Sequence, residues 1–162
     1  MEHRRLDVFV DRWNTEGEIK ASPDGPSARI TAVDTYEWLP GGFFLLHHID
    51  GRVGDDEVKG IEIIGYDAAS RTYRTHFFDS RGNTGTEELT VRDNIWTWAG
   101  SGVMGEKAHR CTSVLSDDGH TFTAHHERSS DGSNWSPWMD VKLTKAGKGQ
   151  NAGFKEKAED RQ

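Results

Sequence analysis

Histidines are the residues in this sequence best suited to chemistry, and two pairs of them sit side by side, His47-His48 and His125-His126. Imidazole titrates near neutrality and serves as acid, base, hydrogen-bond partner or metal ligand. Each pair lies in an apolar or β-branched run, and a strand sends successive side chains to opposite faces. One histidine of each pair must therefore point inward if these strands close around a core. On the run from Phe43 to Asp50, Asp50 belongs in solvent, which puts Phe44, Leu46 and His48 on its face. His47 then lies inside with Phe43, Leu45 and Ile49. Glu62 sits within Ile61-Glu-Ile-Ile64 and shares a face with Tyr66, and Glu87 shares one with Leu89 and Val91. His76 alternates with Arg74 and Phe78. The candidate interior set is His47, Glu62, Tyr66, His76, Glu87 and one of His125 or His126. A carboxylate buried there needs a partner such as Arg74, Arg110 or Arg128, or a raised pKa.

The elements that position these residues read as strands. Tyr36 to Asp50 is a hairpin about a Pro40-Gly41-Gly42 turn. Trp13, Thr15, Gly17 and Ile19 alternate against polar neighbours, and Met139, Val141 and Leu143 point in while Asp140 and Lys142 point out. Turn signals recur from Pro23-Asp-Gly25 to Ser130-Asp-Gly132, and the runs between them amount to roughly ten strands at the spacing of an antiparallel barrel or sandwich. Leu6, Phe9, Val10 and Trp13 recur at helical spacing, so a short N-terminal helix is expected. No segment is suited to a βαβ crossover. The fold expected is all-β: an up-and-down antiparallel meander closed into a barrel over residues 1–145. A polar tail follows over residues 146–162, in which Phe154 to Arg161 could form one exposed helical segment.

Composition limits the partners. The 162 residues carry 27 acidic against 20 basic side chains, a formal net charge of −7, so no basic stripe exists to neutralise a nucleic acid backbone. No window has the length of a transmembrane helix, and no apolar h-region follows the first residues, so no signal peptide is read. Cys111 is the single cysteine, which implies a reducing, cytoplasmic setting. Arg110 beside it would favour a thiolate, but the thiol reads first as structural. Trp96, Trp98, Trp135 and Trp138 read as packing plugs and barrel rim.

Five stretches carry a family resemblance: Leu6-Asp-Val-Phe-Val10, Tyr36-Glu-Trp-Leu-Pro-Gly-Gly-Phe-Phe44, Gly60-Ile-Glu-Ile-Ile-Gly-Tyr-Asp67, His76-Phe-Phe-Asp-Ser-Arg-Gly-Asn83 and Trp96-Thr-Trp98. They resemble a bacterial family of uncharacterised function with a calycin, or lipocalin-like, barrel. The lipocalin-type opening is Gly-x-Trp; here it is Asp11-Arg12-Trp13, so only the tryptophan supports that element. The resemblance implies the fold and no particular activity. Nitrobindins, haem-binding barrels, share the general architecture and hold iron with a histidine near the C-terminal end of the barrel, but Pro137 to Lys145 contains none.

Two function classes follow. One is a binding module holding a small, partly apolar molecule inside the barrel, with a histidine or carboxylate fixing its polar end. The other is a small isomerase, cyclase or lyase with a His/Glu acid–base pair in the same cavity. A filled, purely structural barrel is the plainest alternative, and a haem barrel a further one. The sequence has no Gly-x-Ser-x-Gly elbow, no dinucleotide fingerprint and no metal-ligand spacing, so no cofactor is called for. Apolar residues on both faces of Phe43-Phe44-Leu45-Leu46 and Phe77-Phe78 suggest a homodimer, since a barrel buries one face of each strand.

Overall fold

A computed structural model describes residues 1–147. Ten strands form a closed antiparallel barrel: β1 (Asp11–Ile19), β2 (Ala28–Trp38), β3 (Phe44–Val53), β4 (Asp56–Asp67), β5 (Thr72–Asp79), β6 (Thr84–Arg92), β7 (Ile95–Ser101), β8 (Ala108–Leu115), β9 (Thr121–Ser129) and β10 (Ser136–Lys145). Each strand pairs with its sequence neighbours, and β10 returns to β1 with Trp13 opposite Lys145 and Ile19 opposite Met139. Every pairing is antiparallel, as expected for short alternating runs joined by tight turns. The Pro40-Gly41-Gly42 turn forms, with Gly41 and Gly42 at φ +102° and +71°, a region that side chains with a Cβ avoid. The helical tail segment expected at Phe154 to Arg161 lies outside the described residues.

One end of the barrel is closed by the N-terminal segment. Residues Glu2–Phe9 form a 3₁₀-helix rather than an α-helix. In a three-residue turn, Leu6 and Phe9 fall on one line along the helix, and both are buried. Trp13 lies in β1, as its alternation with Thr15, Gly17 and Ile19 implies, and its indole Nε1–H donates to the Phe9 carbonyl at 2.7 Å and ties the two elements together. Phe9 stacks on Phe122 at 4.9 Å and meets Trp96 edge-on at 4.8 Å. Leu45, Ile64, Tyr73 and Leu89 complete this layer. Burying a Leu or Phe side chain fully is worth about 1.5–3 kcal/mol each, so the plug is a substantial part of the core.

The opposite end is mostly aliphatic, with one tryptophan. Ile30, Trp138 and Met139 pack there with Ile19, Val53, Met104 and Val141. A bulge between Pro137 and Met139 shifts the β9–β10 register, so that Trp138 and Met139 are both buried despite being adjacent.

Outside the barrel, cross-strand neighbours on β3, β4 and β5 build an apolar strip. Leu46 lies opposite Ile63, and Ile61 opposite Phe78; Phe43, Phe44, Ile61 and Phe78 are exposed. Phe43 was expected inside, but it precedes β3 in the turn and packs against His3.

Candidate functional site

Between the aromatic floor and the aliphatic end lies a belt of polar side chains, brought together by strand alternation. On β2, Ile30, Ala32, Asp34 and Tyr36 share the inner face; on β3, Leu45, His47, Ile49 and Gly51 do; on β4, Val58, Gly60, Glu62 and Ile64. His47 stands directly opposite Tyr36 on one side and Glu62 on the other. Its ring stacks on Tyr36 at 4.0 Å between centroids and 11° between planes. His47 Nε2 is 2.7 Å from Asp34 Oδ1, and Nδ1 is 3.4 Å from Glu62 Oε1. The Thr15 hydroxyl donates to the other Asp34 oxygen. Burial works against a charge on His47, but the hydrogen bonds and charges of Asp34 and Glu62 outweigh it and hold the imidazole up at about 9. His47 is thus an imidazolium clamped between two buried carboxylates. Burial, with Asp34 and Glu62 nearby, pushes the Tyr36 phenol well above its ordinary value.

A second group occupies the other wall. Glu87 on β6 reaches His109 on β8 at 2.7 Å, His109 Nε2 meets His126 Nδ1 on β9 at 2.9 Å, and His126 Nε2 lies 3.5 Å from Cys111 Sγ. Glu87 and His109 are separated by strand β7, where Gly100 stands opposite both. A Cβ at Gly100 would lie 2.9 Å from Glu87 Cγ and 2.0 Å from the Thr86 carbonyl oxygen, so the glycine leaves the gap through which the carboxylate reaches the imidazole. Gly100→Ala should therefore break the Glu87–His109 bond and lower stability by roughly 1–3 kcal/mol. The check is a urea midpoint together with the His109 ring resonances; unchanged resonances would refute the gap argument.

Burial raises the Glu87 carboxyl, with His109 pulling the other way. Burial foremost, then His109 and His125, pushes His126 down to about 3 and keeps it neutral. Burial also pushes up the Cys111 thiol, helped by the charges of Glu87 and Glu62. Trp138 meets the His109 and His126 rings edge-on at 5.4 and 6.4 Å.

The two groups face a cavity of about 240 Å³. Its floor is Phe9 and Phe122, its walls include Phe77, Trp98, Ile49 and Val141, and it extends past Val53 and Met104 to Arg52.

Of the residues the sequence singled out, His47, Glu62, Glu87 and His126 line this cavity. His76 does not: Tyr73, Thr75 and Phe77 take the inner face of β5, and His76 points to solvent. His125 also points out, with Nδ1 2.6 Å from Asp140, because Phe122, Ala124 and His126 form the inner row of β9. Tyr66 lies beneath the floor, edge-on to Tyr73 at 5.2 Å. The arginines expected to partner buried carboxylates serve elsewhere. Arg110 binds Glu127 and covers Trp135, Arg128 binds Glu106, and Arg74 sits outside near Asp67 and Glu88. Histidines hold the buried carboxylates instead. Sequence reasoning missed Asp34, Tyr36 and His109. Asp34 was recoverable, since Ile30 and Tyr36 bracket it at a period of two.

Fold and site define a class: an antiparallel ten-stranded barrel, plugged at one end, around a partly polar cavity. Residues 1–145 match the family described as "Protein of unknown function (DUF1579)", and the chain belongs to that family. No curated protein matches it. Among solved structures, the barrel is similar to Rv2717c from M. tuberculosis, with a TM-score of 0.66 at 11% identity, covering 91% of this chain and 99% of that one. It is also similar to the S-type phycobiliprotein lyase CPES from Guillardia theta, with a TM-score of 0.53 at 7% identity, covering 90% and 93% of the two chains. At such identities the likeness concerns the fold. Among the described residues, no helix is long and apolar enough to cross a membrane, and no group of His, Cys, Asp and Glu has the arrangement of a metal site.

Proposed function

We propose that this barrel binds a small, partly apolar molecule in its interior, with the polar belt fixing the molecule's polar end. The observation that carries this reading is the cavity of about 240 Å³, in which apolar walls converge on His47, Glu62 and Glu87. Ligand sites are typically concave and largely apolar with a few fixed polar groups. A filled structural barrel would leave no such space. The shared fold of a phycobiliprotein lyase supports the reading by analogy alone.

One observation favours a second reading, an isomerase, cyclase or lyase. Glu87, His109 and His126 form a continuous relay with contacts of 2.7 and 2.9 Å, the arrangement by which a general base passes on a proton. Binding is the reading we adopt, because His109 spends both ring nitrogens on Glu87 and His126 and so offers neither to a substrate.

Two further parts of the proposal concern setting. The single cysteine, free and buried, supports a cytoplasmic location, and the exposed strip of Phe44, Ile61 and Phe78 supports a homodimer joined through β3–β5. Native mass spectrometry of freshly purified protein tests both the ligand and the dimer. The expected spectrum shows twice the chain mass, plus an added mass that disappears on unfolding. A bare mass, with no binding of an apolar fluorescent dye, would overturn the binding reading; a monomer at micromolar concentration would overturn the dimer.

A further inference from the structure

Carboxyl groups and imidazoles meet inside the cavity, and they do not all find one another. Three carboxylates line it, from Asp34, Glu62 and Glu87, each on a buried residue. Facing them are His47 between Asp34 and Glu62, and the His109–His126 pair beyond Glu87. His126 stays neutral in its apolar surroundings. His47 is shared between two of the three carboxyl groups, and Glu87 has His109 as its partner. No lysine lines the cavity among the described residues, and its one arginine, Arg52, is exposed and donates to the Asp55 carbonyl at 2.6 Å. A buried charge without a partner is costly.

The carboxylate oxygens point to the same vacancy in the bonding. Asp34 is fully engaged, with one oxygen on His47 and the other on Thr15. Glu62 has only the long 3.4 Å contact from Oε1, and its Oε2 accepts from no described residue. Glu87 uses Oε2 on His109, while its Oε1 accepts from none. Both residues are buried, the Glu87 side chain 4% exposed and that of Glu62 11%, and both face the cavity. Around them stand Phe9, Phe77, Trp98 and Phe122, whose ring faces favour cations.

We propose that the cavity takes a small organic cation, a protonated primary amine on an apolar or aromatic body, with Glu62 and Glu87 accepting from its ammonium group. This rests on the binding reading above and deepens it by naming the ligand class. The aromatic floor holds the body, and the free carboxylate oxygens take the N–H donors. The overall charge of −7 attracts the same class of ligand from solution. The opposite class, fatty acids and other apolar anions, meets at the cavity wall only Arg52, which donates to the Asp55 carbonyl, and imidazoles that Asp34, Glu62 and Glu87 already hold.

The test is calorimetric titration at pH 7 and low salt with three probes of one shape: benzylamine, benzyl alcohol and benzoate. Benzylamine should bind about tenfold or more tightly than benzyl alcohol, as one charge-assisted hydrogen bond implies, and benzoate more weakly than either. Glu62→Gln and Glu87→Gln should each erode the preference for the amine over the alcohol. If benzyl alcohol or benzoate binds as well as benzylamine, the cation proposal fails while the binding reading stands. If none of the three binds, and neither dye nor retained mass is found, both fail together. The ranking on the unaltered protein decides the matter even if a variant does not fold.

Discussion

Replacing His47 by alanine should destabilise the barrel by about 3–5 kcal/mol at pH 7, the typical cost of removing one member of a buried ion pair. The substitution leaves Asp34 and Glu62 facing each other in the interior without the imidazolium between them. It also removes the ring stacked on Tyr36 at 4.0 Å. Thr15 still donates to Asp34, which softens the loss without cancelling it. The deficit should narrow as pH falls, because the stranded carboxylates can take up protons. Urea midpoints of the two proteins at pH 7 and pH 4.5, with m-values compared, check both statements. A loss below about 1 kcal/mol at pH 7 would mean that His47 is a neutral wall residue. A loss that did not shrink in acid would assign it to packing.

The pH profile of stability should be a dome with its top near neutrality, shaped by two histidines shifted in opposite directions. His47 is held up at about 9 in the folded barrel, against about 6.5 for an unfolded histidine. Its contribution is fully present below pH 6.5 and is lost as pH rises through 9. His126 is pushed down to about 3. Between pH 6.5 and 3 the unfolded chain takes a proton that the folded barrel refuses, so stability falls as pH drops through that window. Each group contributes a slope approaching 1.4 kcal/mol per pH unit within its window. Surface carboxylates such as the exposed Asp140 and the half-buried Asp79, held below their ordinary values by hydrogen bonds, steepen the acid limb further down. Thermal melts from pH 3 to 10 read the profile. His126→Gln should flatten the limb between pH 6.5 and 4 while leaving the alkaline limb in place. An acid limb of equal slope in that variant would remove His126 from the explanation.

The barrel was legible in the sequence wherever one face of a strand is polar. β1 and β10 alternate cleanly, and Asp50 sets the phase of β3 and thereby the inward His47. The phase is lost where both faces are apolar or both polar. On β5, Phe77 faces in and Phe78 out, so His76 had no contrast to orient it. On β8 the inner row is His109, Cys111 and Ser113, which does not look like a core, and His109 went unnoticed. On β4, Glu62 faces in while Ile61 is half exposed, the reverse of the usual pattern; a family of uncharacterised function could not supply the reason. Pairings that depend on a side chain's absence, such as Glu87 reaching past Gly100 to His109, are invisible until strand register is known.

The seam between β1 and β10 bears on how the chain acquires its shape. Trp13 pairs with Lys145 and Ile19 with Met139, contacts between nearly opposite ends of the described chain. Every other ladder joins consecutive strands and can form as a hairpin. Closure of the ring is therefore the contact with the greatest loop entropy, and non-local pairings of this kind slow folding. In the finished barrel the outer edge of β1 is paired by β10 alone, so that edge has no partner until β10 is available. An open edge invites other strands. In that interval the aromatic plug, Leu6 and Phe9 ahead of Trp13, is already present and waiting for its ring to close, so a nascent chain stalled short of β10 would expose both its sticky edge and its largest apolar surface at once.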